Sequence, residues 1–174
     1  MNLDDITRQL RSTTDEFISF CNPIQDTLFF FKPAYKWSIA QNVKHLSISV
    51  SRTQLAYSLP KFIVRLIAGK PNRISRTYEV LVEKYKTKLM QGGKASGPFI
   101  PKNIPAGTDK DFLLKQFAVA VKSLATIIEK KWTDPQLDNY LAPHPLLGKV
   151  TLRELAYFTI HHTSHHLEII KARL

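Results

Sequence analysis

The chain has 174 residues, 44% of them apolar, and 25 Lys/Arg stand against 14 Asp/Glu for a net charge of +11. This length and composition suit one globular domain over residues 1–174 with a sizeable core. No apolar run approaches the roughly 20 residues that cross a bilayer, and a single cysteine, Cys21, rules out an internal disulfide.

The apolar spacing predicts an amphipathic helix over Leu3 to Phe20, on Ile6, Leu10, Phe17, Ile18 and Phe20, ended by Asn22 and Pro23. A loop through Phe31-Lys32-Pro33 leads to a second helix that opens at Trp37-Ser38, with Ser38 as N-cap. Ile39, Val43, Leu46, Val50 and Tyr57 mark its buried stripe, and Pro60 splits it from Phe62–Ile67. After a turn at Gly69–Asn72, a third helix is expected from Ser75 to Met90. Gly92 to Thr108 then reads as a long surface connection, suited to a lid. Its Gly92-Gly93-Lys94-Ala95-Ser96-Gly97 lacks both the Lys-Ser/Thr spacing and the preceding strand of a phosphate-binding loop. Thr108 or Asp109 caps a fourth helix reaching Trp132, with an apolar stripe of Leu113, Leu114, Phe117, Val119, Val121, Leu124 and Ile127. A Pro-rich connection, Thr133 to Lys149, precedes the last helix. Thr151 caps that helix, with Glu154 completing a capping box. No segment alternates as a strand would. The expected fold is all-α: a four-helix bundle with long crossover connections and an extra short helix.

Four of the six histidines fall in His161-His162-Thr163-Ser164-His165-His166, within the last helix. Residues four apart share a helical face, so His161/His165 and His162/His166 are each spaced to grip one metal ion. At about 100° per residue, His162 and His166 fall in the apolar arc of Leu152, Leu155, Ala156, Thr159, Leu167 and Ile170, and His161 and His165 at its edge. Inward imidazoles lose hydration unless they are paired or coordinated. The motif is not the H-E-x-x-H of zinc proteases, because Thr163 follows His162. His45 could supply a third ligand, but it flanks the apolar stripe of the second helix beside Asn42 and Ser49, where a surface or hydrogen-bonded core role fits better on position alone. His144, in Ala142-Pro143-His144-Pro145, suits a rigid structural loop and is also a candidate for a pocket entrance. Asn42, Tyr157, His165 and Glu168 are candidates to orient the ligands.

The basic excess concentrates between Lys61 and Lys131, where 15 Lys/Arg face 5 Asp/Glu. These residues are scattered at helical spacing without a nucleic-acid motif, which disfavours nucleic acid. They read as a solvated basic face, with an anionic small molecule as the partner such a field would attract. The start, MNLDDITRQLRS, lacks the pattern of a secretory signal. Together with the lone Cys21, read as a core residue, this makes a reduced, cytoplasmic setting the expectation.

Trp37-Ser38 through His45-Leu46 resembles the W-S-x(6)-H-L signature of the DinB-like (YfiT-like, damage-inducible) metal-binding four-helix bundles. His162-Thr163-Ser164-His165-His166 resembles that family's closing H-x-x-x-H. His144-Pro145-Leu146-Leu147-Gly148-Lys149-Val150-Thr151 is similar to its H-P-x-x-G-x-x-T entry into the last helix, and Pro98-Phe99-Ile100-Pro101 to its Pro-rich middle. The resemblance covers nearly the whole chain. It implies that His45, His162 and His166 bind one divalent metal, zinc or nickel, and that homodimers form. It further implies either metal-activated thiol chemistry of the S-transferase type, with a low-molecular-weight thiol as co-substrate, or metal-dependent hydrolysis. A non-catalytic metal-binding or stress-related module is the third option it leaves. One departure stands out: many relatives have Gly-Gln after the last ligand, where this chain has Leu167-Glu168-Ile169.

Overall fold

A computed structural model describes all of residues 1–174. Its helices are α1 (Leu3–Cys21), α2 (Asp26–Phe30), α3 (Ile39–Ser58), α4 (Lys61–Ala68), α5 (Tyr78–Met90), α6 (Lys110–Lys131), α7 (Asp134–Asn139) and α8 (Leu152–Lys171). Two short strands, β1 (Leu141–His144) and β2 (Gly148–Thr151), precede α8. The fold is all-α in class, and no helix is long and apolar enough to cross a membrane.

Four long helices make the bundle. α1 and α3 each pack on both α6 and α8, while α5 lies outside against α8. Side-chain pairs fix the directions. Arg11 meets Glu129 and Phe17 meets Phe117, so α1 and α6 are antiparallel. Lys171 reaches Glu16 while Arg153 reaches the Met1 carbonyl, so α1 and α8 run parallel. Tyr57 donates to the Leu152 carbonyl and Asn42 meets His166, which sets α3 antiparallel to α8. Successive bundle helices therefore run up, down, down, up. The parallel step from α3 to α6 needs a long return, supplied by α4, α5 and the 92–108 segment.

The helix starts follow from local chemistry. Ser38 Oγ accepts from the Gln41 N–H and Gln41 Oε1 from the Ser38 N–H, a reciprocal cap that begins α3 seven residues before His45. Thr151 and Glu154 make the same box at α8. The core is contributed mainly by the bundle, with Phe17 and Phe117 edge to face at 5.5 Å and the Trp132 indole donating to the Tyr57 carbonyl at 3.0 Å.

Several expectations change. The 133–149 connection contains α7 and an antiparallel hairpin that pairs Leu141 with Thr151 and His144 with Gly148. Strands of four residues interrupted by Pro143 are too short to alternate visibly. α2 occupies part of the expected loop. α5 begins at Tyr78 behind a Thr77 cap, not at Ser75, because residues 73–76 are held by Glu154. Val119 is exposed and Ile128, not Ile127, is fully buried. Val119 lies two residues, about 200°, from Phe117 and so turns off the buried face.

Candidate metal centre

α8 is buried along most of its length, and its second half projects His162 and His166 toward α3. The reciprocally capped α3 brings His45 opposite them. The three side chains are 5%, 5% and 6% exposed for His45, His162 and His166. Their Nε2 atoms converge: His45 to His162 at 3.1 Å, and His166 to His162 at 3.1 Å. One nitrogen from each lies within 4.8 Å of the others, so the three can hold a metal ion.

The outer nitrogens decide the protonation of the inner ones. His45 Nδ1 is 2.7 Å from the Phe99 carbonyl, which only accepts, so Nδ1 carries the proton. His166 Nδ1 is 2.7 Å from Asn42 Oδ1, and Asn42 is oriented by donating its Nδ2–H to the Ser38 carbonyl at 2.8 Å. His166 therefore also carries its proton on Nδ1. Both rings present bare Nε2 lone pairs to His162 Nε2. A proton on that nitrogen can satisfy one of the two contacts and not both. Burial pushes the pKa of His162 and His166 well below the usual range, and neighbouring histidines push it further, so charging the rings is no remedy. His45 is lowered by burial too, opposed by its bond to Phe99. A cation among the three lone pairs removes the conflict. Ligands about 2.1 Å from a tetrahedral ion stand roughly 3.4 Å apart, close to the 3.1 Å found for two of the three pairs. The donor set fits a divalent metal.

The cluster forms part of the wall of a pocket of about 810 Å³, within the range of small-molecule sites. Trp37 lies over the histidines, 4.9 Å from His45 and stacked on His166 at 6.4 Å. Phe158 stacks on His162 at 4.8 Å. The 92–108 segment, with a 3-10 turn at Gly97–Phe99, supplies another wall as well as the carbonyl on His45. Gly93 is required there, since a Cβ would stand 2.6 Å from the Lys88 carbonyl oxygen.

The other sequence candidates separate. Asn42 orients His166, and His165 lines the pocket with its ring 5.5 Å from that of His166. His144 also lines the pocket. Its Nδ1 accepts the N–H groups of Leu146 and Leu147, which locks the hairpin turn, and burial lowers its pKa to about 4. Tyr157 lies elsewhere, donating to the Met1 carbonyl. Glu168 is exposed and paired with Lys171 at 3.0 Å. Five residues from His162 and two from His166 turn these side chains about 140° and 200° away from the ligand face. Cys21 sits in the core, its thiol pushed up to about 12 by burial, which removes it as a nucleophile. Sequence reasoning missed roles for Trp37, Phe158 and the Phe99 carbonyl. The first two carry only an aromatic signal, and a backbone acceptor carries none.

No curated protein matches the chain. Residues 9–170 match the sequence profile of the DinB superfamily, a span that includes all three histidines and reaches into every helix of the bundle, and the chain belongs to that superfamily.

Proposed function

We propose that His45, His162 and His166 bind one divalent metal ion, zinc or nickel, and that the pocket above them is the site of a metal-dependent reaction of a small molecule, with thiol transfer as the favoured chemistry. The carrying observation is the convergence of three buried Nε2 atoms, two of them with lone pairs fixed by their outer partners, in the wall of a pocket large enough for a substrate. A divalent ion bound there lowers the pKa of a thiol or water that reaches it and so supplies a nucleophile near neutral pH.

The chain's own residues favour the thiol over water. No aspartate or glutamate lines the pocket, so the carboxylate base that commonly assists water attack is missing. A thiol, already more acidic than water, has less need of one. Asn42 and the Phe99 carbonyl hold two imidazoles in the tautomer that leaves Nε2 free. Trp37 and Phe158 flank the imidazoles and limit water around them.

Metal analysis of the purified protein beside a His162→Ala/His166→Ala variant tests the first half. About one equivalent in the wild type and none in the variant is expected, and equal content would overturn it. Incubating the loaded protein with low-molecular-weight thiols and an electrophile panel, beside ester and amide substrates, tests the second. Hydrolysis without thiol conjugation would replace thiol transfer with hydrolysis, and neither activity would leave a metal-binding module.

A further inference from the structure

We infer that the pocket takes an elongated, largely apolar molecule bearing one anionic group, and that Arg52 receives the anion at the end away from the histidines. This rests on reading the pocket as a substrate site and adds the class of molecule it accepts.

The pocket's charge is one-sided. Four cationic side chains line it, Lys36, Arg52, Lys94 and Arg173, with no carboxylate among the lining residues. Arg173 donates to the Trp37 carbonyl at 2.8 Å and is partly committed. Lys36, Arg52 and Lys94 take no part in the chain's ion pairs, which use other cations. Some of the chain's other cations are neutralised within the fold. Arg153, for example, is held by Asp134 and Asp138. At the pocket Lys36, Arg52 and Lys94 are exposed and outside those pairs, which suits an anion arriving from outside.

Helix geometry places one of these cations. His45, Ser49, Arg52 and Ala56 all line the pocket at spacings of four, three and four, so they share one face of α3. Arg52 lies seven residues beyond His45, about 10 Å along the helix axis. Half the lining residues are hydrophobic, among them Leu89, Leu155 and Phe158. A ligand matching this surface has an apolar body of about 10 Å, a reacting end at the histidines and an anionic end at Arg52. The guanidinium offers a planar pair of donors to a carboxylate, sulfonate or phosphate.

The test uses 1-decanesulfonate and decyltrimethylammonium, which share an alkyl chain and differ in the sign of the head group. Calorimetric titration of the full chain, metal-loaded and after chelation, should show the sulfonate binding about tenfold or more tighter than the ammonium in both states. Arg52→Gln should lower sulfonate affinity about tenfold and leave metal content and the melting temperature unchanged. Lys115→Gln, an equal loss of charge at an exposed position outside the pocket, should leave affinity unchanged. Equal binding of the two head groups, or equal loss in the two variants, would overturn the assignment. So would a sulfonate preference that vanishes on chelation, since the anion would then sit on the metal. Metal content is read separately, so loss of the metal reading and loss of the anion reading give different results.

Discussion

α8 carries two buried polar clusters, one at each end, and they solve the same problem in opposite ways. At its start Glu154, 0% exposed, is enclosed by donors: a bidentate Arg73 at 2.6 and 2.7 Å, the Arg76 N–H at 2.7 Å and the Thr151 N–H at 3.0 Å. Every neighbour complements its charge. Burial alone would raise the Glu154 pKa, but Arg73 and the two N–H groups outweigh it and hold the carboxyl below its ordinary value. Toward the other end, three imidazoles point like atoms at one another and nothing in the chain separates them. The first cluster is complete within the protein and holds the fold. The second is an open set of nitrogen donors that could hold a cation. Equal burial thus accompanies a closed charge cluster in one place and an open donor set in the other, and the sign of the facing atoms tells them apart.

The largest difference should appear on removing one member of the closed cluster. Glu154→Ala strands two arginines and two backbone donors and should destabilise the protein by about 3–5 kcal/mol. The lower end is expected because Arg73 and Arg76 reach solvent. Urea denaturation measures the loss, while metal content should stay at the wild-type level in the protein that remains folded. Loss of metal with retained stability would reverse the roles assigned to the two ends.

Acid should separate the clusters next. All six histidines have folded pKa values lowered chiefly by burial. Below about 6.5 the unfolded chain of the metal-free protein therefore binds more protons, and stability falls as pH drops from there. His144 alone, titrating at about 4 in the folded state, accounts for roughly 3 kcal/mol across that interval at about 1.4 kcal/mol per pH unit. Glu154 behaves differently: its contribution is intact above about 4.5 and is lost as pH falls through its lowered folded value. Urea midpoints of metal-free protein should decline already between pH 6.5 and 5, and a flat profile down to 4.5 would contradict the burial of the histidines.

The smallest effect is expected at the partner of one ligand. Asn42→Ala removes the acceptor that holds His166 Nδ1 and should weaken metal affinity about 10- to 100-fold, measured by competition with a chelator. Unchanged affinity would mean that packing alone fixes the ring.

The sequence reveals unequal amounts of the two ends. His162 and His166 are legible because both lie on one helix, where the 3.6-residue period sorts inward from outward positions. His45 is fixed by no such period, and a motif resemblance singles it out. The caps at Ser38 and Thr151 are local and legible too. Glu154 reads as a capping residue, yet Arg73 and Arg76 lie 81 and 78 residues away, and no periodic signal joins them to it. Proximity in sequence makes Tyr157 and Glu168 candidates, and angular position on α8 overrides it. The hairpin escaped because its strands are four residues long and one contains proline.

The bond from His45 to residue 99 is made by a peptide carbonyl and not by a side chain. Side-chain changes at position 99 can therefore vary the pocket wall while the acceptor on the imidazole persists, provided the 3-10 turn keeps its path. Pocket shape and imidazole orientation meet at one residue but use separable parts of it. Such a position can absorb mutation and reshape the pocket while the three-histidine cluster keeps its orientation.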